Sequence, residues 1–263
     1  MKKVGTAFLT TLFIFSSFTS ANAEEKKDNK AFIDVSAATL WTAPDSLRPI
    51  DTPSATNPVD LWKWTKSMTL DEKLWLTNAN KLETQALLGQ EVTVIDKKGE
   101  WVKVLVHGQP TPRNEEGYPG WMPEKQLTYN QEFADKTNEP FVLITKPTAI
   151  LYINPSEKHK SLEVSYNTRL PLLSEDTISY RVLLPNGQKA WLRKNDGTVY
   201  RSQTDIPTPA ANDLINTGKM FLGLPYIWAG TSGFGFDCSG FTHTIYKSHG
   251  ITIPRDSGPQ SRA

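Results

Sequence analysis

The sequence predicts a mainly β chain made of a repeated small module, closed by an α+β segment at the C-terminal end. Three observations lead there. A pattern of strand, strand, then Gly or Ala followed by Trp and an apolar residue occurs twice. It runs through Glu100 to Val106 and Pro119-Gly120-Trp121-Met122, then through Ser179 to Leu184 and Lys189-Ala190-Trp191-Leu192. Eighteen prolines and 16 glycines in 263 residues suit short strands joined by many loops. Helical periodicity is confined to a stretch at 58–78 and to one following Cys238, the only cysteine.

The chain begins with the pattern of an export signal. Lys2 and Lys3 precede an apolar and small-residue run from Val4 to Phe18, and Ala21-Asn22-Ala23 forms an A-x-A cleavage site, so residues 1–23 read as a signal peptide. The run is too short and too rich in Ser and Thr for a good membrane span. No cysteine follows the site, so no lipid anchor is expected. The mature chain is expected to start near Glu24, to lack an integral membrane segment, and to work outside the cytoplasmic membrane. A single cysteine in a secreted chain cannot form an internal disulfide and points to a free reactive thiol. With 29 Lys and Arg against 28 Asp and Glu, the charge is balanced, which argues against nucleic-acid binding.

The first module spans 31–130. Ala38 to Trp41 is a short apolar strand, and four prolines make residues 44–60 an irregular loop. Leu61, Trp62, Trp64, Met68 and Leu74 keep rough helical spacing, and Thr69-x-x-Glu72 has the form of a capping box, so a helix is expected over 58–78 as an insertion. Glu91 to Asp96, Lys98-Gly99 and Glu100 to Val106 form a hairpin. The second module, 140–205, repeats the plan, with Thr148 to Tyr152 parallel to Ala38 to Trp41. Ile206-Pro207-Thr208-Pro209-Ala210 links it to the last segment, 210–263.

In that segment Phe236-Asp237-Cys238-Ser239-Gly240-Phe241 follows a glycine-rich run, and Phe241, Ile245 and Tyr246 recur at helical spacing up to Gly250. Cys238 therefore opens a helix, where unpaired N–H groups and the helix dipole favour a thiolate, the nucleophilic form. The plain alternative is a buried inert thiol. Its polar neighbours Asp237 and Ser239 weigh against that. The glycines on either side leave room for another backbone, such as a peptide substrate.

Pro225-Tyr226-x-Trp228-x-Gly230, Asp237-Cys238-Ser239-Gly240-Phe241 and Gly250-Ile251-x-Ile253-Pro254-Arg255-x-Ser257 closely resemble the NlpC family of papain-like cell-wall cysteine peptidases. Ala229 departs from the family, which often has glycine there. The two modules resemble bacterial SH3-like barrels. Together they give a fold of two SH3-like β-barrels followed by an incomplete papain-like domain, an arrangement similar to YkfC-type γ-D-glutamyl-L-diamino acid endopeptidases. That resemblance implies cleavage of murein peptides, L-Ala-γ-D-Glu-diamino acid, with release of L-Ala-D-Glu. It implies that Cys238 is the nucleophile and that Tyr226 lies on the oxyanion side with the Cys238 N–H. It makes Asp237 the candidate partner for the substrate's free ammonium, Glu83 and Tyr118 the closing acid and phenol, and Ser239 and Ser257 further hydrogen-bonding groups. Ordinary readings stand beside these: Glu83 as a solvated acid, Tyr118 as a packing ring, Asp237 as a helix cap.

A cysteine peptidase needs a base beside the thiol. The family's histidine lies downstream of the Pro-Arg-x-Ser segment, and the sequence stops at Ala263 before reaching that point. His243 falls roughly 140° round the helix from Cys238, and His249 about 16 Å along it. His107 and His159 belong to earlier modules. The expectation is therefore a nucleophile without its base. A non-catalytic protein that binds cell-wall peptide through tandem SH3-like modules is the competing reading. No residues have metal-ligand spacing, so no metal or cofactor is expected.

Overall fold

The computed structural model describes residues 1, 2, 29–154 and 160–263. The expected signal peptide and most of the charged leader lie outside the described residues, as does His159. Among the described residues, no helix is long and apolar enough to cross a membrane.

The first barrel is built from β1 (Lys30–Ile33), β2 (Ala37–Trp41), β3 (Leu82–Leu87), β4 (Glu91–Lys98), β5 (Trp101–Val106), β6 (Tyr118–Pro123) and β7 (Leu127–Thr128). Their order in the sheet is β3-β2-β6-β5-β4-β1-β7. The predicted hairpin is β4 and β5, and Gly99 takes a φ of +58° at its turn, a conformation that costs glycine little. Alternate side chains of these strands, Ala38, Leu40, Val102, Val104 and Met122 among them, fill one apolar core.

The second barrel uses β8 (Phe141–Ile144), β9 (Thr148–Tyr152), β10 (Lys160–Ser165), β11 (Arg169–Glu175), β12 (Ser179–Leu183), β13 (Lys189–Arg193) and β14 (Gly197–Tyr200). Its order, β10-β9-β13-β12-β11-β8-β14, repeats the first strand for strand. A short helix, α3 (Gln131–Lys136), joins the two barrels and buries Phe133 against the second core.

The insertion between β2 and β3 holds two helices, α1 (Leu61–Ser67) and α2 (Leu70–Asn78), where the sequence predicted one. The break is at Met68, whose backbone is extended. Thr69 then caps α2: its hydroxyl accepts from the Glu72 N–H, and the Glu72 carboxylate accepts from the Thr69 N–H at 2.7 Å. The reciprocal cap satisfies two otherwise orphaned donors and starts a new helix at the expense of the old one. Within the loop expected to be irregular, residues Pro49–Ser54 form a short 3₁₀ helix. Its Asp51 accepts from Trp64 Nε1 at 2.9 Å and pairs with Arg48 at 2.8 Å, which anchors the insertion.

The last segment contains α4 (Ala211–Lys219), the small hairpin β15 (Thr231–Ser232) and β16 (Gly235–Phe236), α5 (Cys238–Ser248) and α6 (Ser257–Gln260). It is wedged against both barrels. Ile227, Ala229 and Phe234 join the core that holds Trp41, Leu61 and Trp64. Gly233 donates to Ser165 Oγ at 2.8 Å, and the Tyr166 hydroxyl bonds Ser248 Oγ at 2.6 Å.

Candidate active site

Cys238 is the first residue of α5 and its side chain is exposed. Asp237 is the N-cap, and its carboxylate accepts from the Gly240 N–H at 2.6 Å. The helix start is held from behind. Gly230 presents its carbonyl so closely to Gly240 that a Cβ there would collide with it. The backbone that needs this glycine is thus the protein's own, which corrects the expectation of room for a substrate backbone at Gly240.

Tyr226 lies beside the nucleophile and is 52% exposed. Its phenol lines the same cavity as the Cys238 thiol. Burial first, then the negative charge of Cys238 and Asp237, push this phenol above its ordinary range, so it stays a donor at neutral pH. Phe221, Leu224, Pro225, Phe236 and Phe241 complete a cavity of about 280 Å³ around the thiol. An N–H and an O–H converging on one small cavity are suited to an oxyanion.

Asp237 is already engaged within the protein. It is 5% exposed and pairs with Arg255, itself 1% exposed, through Nη2 at 2.8 Å and Nη1 at 3.2 Å. Ser239 is buried in the same network: it accepts from Arg255 Nη1 at 3.0 Å and donates to Asp237 at 3.4 Å. Arg255 Nε donates to Thr84 Oγ1 on β3 at 3.0 Å, which ties the network to the first barrel. Gln260 on α6 donates to the carbonyls of Ser239 and Pro254, at 3.0 and 2.8 Å. Buried, mutually satisfied charges of this kind fix geometry. Asp237 and Ser239 therefore hold the cysteine loop in place, and Ser257 sits exposed at the start of α6.

The structure does bring Glu83 and Tyr118 together, with two partners the sequence reading missed. The Tyr118 hydroxyl donates to Asp256 at 3.0 Å. Arg113 forks onto Glu83, with Nη2 at 2.9 Å from Oε1, and its Nη1 reaches the Tyr118 oxygen at 3.4 Å. The Arg113 guanidinium also stacks over the Tyr118 ring at 5.3 Å. Burial, followed by the Asp256 charge, pushes the Tyr118 phenol up to about 12, which keeps it a donor. The cluster holds two carboxylates and one guanidinium, which is bonded to Glu83. Among the described residues no cation pairs with Asp256, so one negative charge is left over. Asp256 immediately follows Arg255, so the cluster is one residue from the network that supports Cys238. The signal in the sequence was an acid inside Pro254-Arg255-Asp256-Ser257; its partner Tyr118 is 138 residues away.

No histidine among the described residues bonds to the thiol. His243 is buried on the far side of α5 with Nδ1 against the Ile253 carbonyl at 2.9 Å, and burial holds it down to about 3. His249 Nε2 pairs with Thr217 and His107 Nε2 with Thr93.

Residues 77–127 match the bacterial dipeptidyl-peptidase Sh3 domain, residues 144–200 the YKFC SH3b2 domain, and residues 223–263 the NlpC/P60 family. The chain is 97% identical over 262 residues to a γ-D-glutamyl-L-lysine dipeptidyl-peptidase of Bacillus cereus, covering 100% of this chain and 79% of that protein. It is 42% identical to a protein of the same name from Bacillus subtilis, covering 86% of this chain and 73% of that one. A crystal structure of an NlpC/P60 family protein from Bacillus cereus, 96% identical, superposes with a TM-score of 0.87 over 89% of this chain and 77% of that one.

Proposed function

The chain belongs to the NlpC/P60 family, and on that premise we propose that it is a cysteine peptidase that hydrolyses the γ-D-glutamyl–diamino acid bond of murein peptides with a free amino terminus. The names of both relatives specify L-lysine as the diamino acid. The observation that carries the reading is the exposed Cys238 at a helix start, in one cavity with Tyr226 and with its supporting network one residue from a cluster of net negative charge.

The Cys238 thiolate attacks the γ-carbonyl carbon of D-glutamate. The oxyanion that forms accepts from the Cys238 N–H and the Tyr226 O–H. The C–N bond breaks, and the diamino acid leaves as an amine that takes up a proton. Water then hydrolyses the thioester, freeing the γ-carboxylate of L-Ala-D-Glu and restoring the thiol. Asp256, with Glu83 and Tyr118, takes the terminal ammonium of L-Ala, because it is the carboxylate there without a cation of its own. A peptide with a blocked amino terminus would bring no charge to that cluster and would leave Asp256 desolvated without a cation.

The second reading, a peptide-binding protein without turnover, draws on one observation: no described histidine reaches the thiol. Release of L-Ala-D-Glu from L-Ala-γ-D-Glu-L-Lys, compared with a Cys238→Ala control, separates the two. Cysteine-dependent release supports the peptidase. Calorimetric binding with no release supports the binder. Neither binding nor release removes both.

We further place the mature protein outside the cytoplasmic membrane, on the strength of Lys2, Lys3, the apolar run and Ala21-Asn22-Ala23. Amino-terminal sequencing of protein recovered from the culture medium tests this; mature chains beginning at Met1 would refute it.

A further inference from the structure

A second cavity, of about 370 Å³, opens where the first barrel, α3, the second barrel and the C-terminal end of α5 meet. It lies in the size range of small-molecule sites. Its polar wall carries two cations. Arg169 donates Nη1 to Gln203 and Nη2 to the Lys247 carbonyl at 3.1 Å, and it stacks over Phe141 at 5.3 Å. These contacts fix the guanidinium, yet its Nε is buried with no acceptor. Lys247 Nζ makes no hydrogen bond or ion pair to any described residue. Asn167, 6% exposed, lines the same cavity with a buried Oδ1 that has no donor. The carboxylates at the rim are already engaged: Glu91 with Lys30 at 3.1 Å and His107 at 3.4 Å, Glu139 with Lys136 at 2.9 Å. Phe133, Phe141 and Pro171 give the cavity an apolar wall.

Two cations without a facing acid, one unpaired amide and an apolar wall together specify a ligand. It has an anionic end, a hydrogen-bond donor and an apolar body. We propose that this cavity binds a small organic carboxylate of amino-acid to dipeptide size, its anion on Arg169 and Lys247 and its N–H on Asn167. Lys247 lies on the helix that starts at Cys238, nine residues and about 13 Å further along. A ligand there would brace the junction of all three parts of the chain at the far end of that helix. Burial, then the Arg169 charge, hold the Lys247 ammonium down to about 7. An anion at Lys247 favours the protonated form, so binding is tighter below pH 7 than above it and takes up protons near neutrality.

The test is isothermal titration of the full chain with N-acetyl-L-leucine, whose blocked amine gives it no claim on the Glu83 and Asp256 cluster. The proposal expects saturable binding, about tenfold or more weaker for Lys247→Gln and largely kept by Lys247→Arg. Lys247 Nζ bonds no described residue, so the Gln variant should fold, and its unfolding midpoint checks that. N-acetyl-L-leucinamide, which lacks the charge, should not bind. Absence of binding by the acid overturns the proposal, as does equal binding by the amide or equal binding to Lys247→Gln. Inorganic phosphate binding where N-acetyl-L-leucine does not would also overturn it.

Discussion

Strand β3 of the first barrel and strand β10 of the second hold the same place in the same sheet order, and both grip the hairpin that precedes the cysteine. Gln85 on β3 takes Thr231 and Ser232: its Oε1 accepts the Thr231 N–H at 3.2 Å and the Ser232 hydroxyl at 2.8 Å, and its carbonyl accepts the Thr231 hydroxyl at 3.0 Å. Ser165 on β10 takes the next residue, Gly233. There the likeness ends. The first barrel adds Glu83 and Tyr118 to the site and Thr84 to the support of Arg255. Its insertion also packs Trp62 edge-on to Phe234 at 5.2 Å. In the second barrel the corresponding strands, β9 and β10, are separated in sequence by residues 153–159 only. A barrel duplicated strand for strand thus became one wall of a site and one buttress. The difference is in side chains and an insertion, with the fold unchanged.

If the first barrel is the functional wall, losing its link to the nucleophile should cost most. Arg255→Ala removes the partner of buried Asp237 and the bond to Thr84, and a broken buried pair costs about 3–5 kcal/mol. Urea unfolding should show that loss; a change within about 0.5 kcal/mol would mean the barrel and the cysteine loop are not coupled. Asp256→Asn and Glu83→Gln should leave the unfolding midpoint almost unmoved and raise KM for a free-amine tripeptide, by about tenfold or more for Asp256. Substitution of Gln188, the second-barrel counterpart of Tyr118 in the repeated pattern, should leave KM unchanged. The two grips can then be weighed directly. Gln85→Ala orphans several buried groups and should cost about 1–3 kcal/mol, and Ser165→Ala about 1 kcal/mol. The reverse order would make the second barrel the main clamp. The smallest effect belongs to Ala229, which has a φ of +64°. Ala229→Gly relieves that backbone and adds chain entropy, so its unfolding free energy should move by no more than about 1 kcal/mol.

What the sequence revealed follows the range of the interactions concerned. The Thr69–Glu72 cap, the Lys98-Gly99 turn and the helix beginning at Cys238 are local, and each was readable from residues a few positions apart. The repeated Trp strands, β6 and β13, exposed the duplication because each barrel needs the same alternation. The break at Met68 escaped because helical spacing runs through it; only the cap at Thr69 decides it. The ion pair of Asp237 with Arg255 and the bond of Tyr118 to Asp256 span 18 and 138 residues, and no local pattern specifies such pairs. The sequence offered Asp237 both as helix cap and as ammonium anchor; the structure shows the cap, with Arg255 as its ion-pair partner.

Gly233 sits where an added Cβ would collide with the Pro147 carbonyl, at the seam between the hairpin and the second barrel. The neighbouring Thr231 and Ser232 dock on the first. The hairpin therefore has no seat until both barrels have closed, and translation delivers it after both. Presentation of the thiol then follows closure of both barrels, and it is built on contacts of long sequence separation. A chain with either barrel unformed carries the cysteine in its sequence and not in its site. In hydrogen-exchange terms, the amides of 231–240 should open together as one cooperative unit, and the alkylation rate of Cys238 would serve as a gauge of whether both barrels have closed.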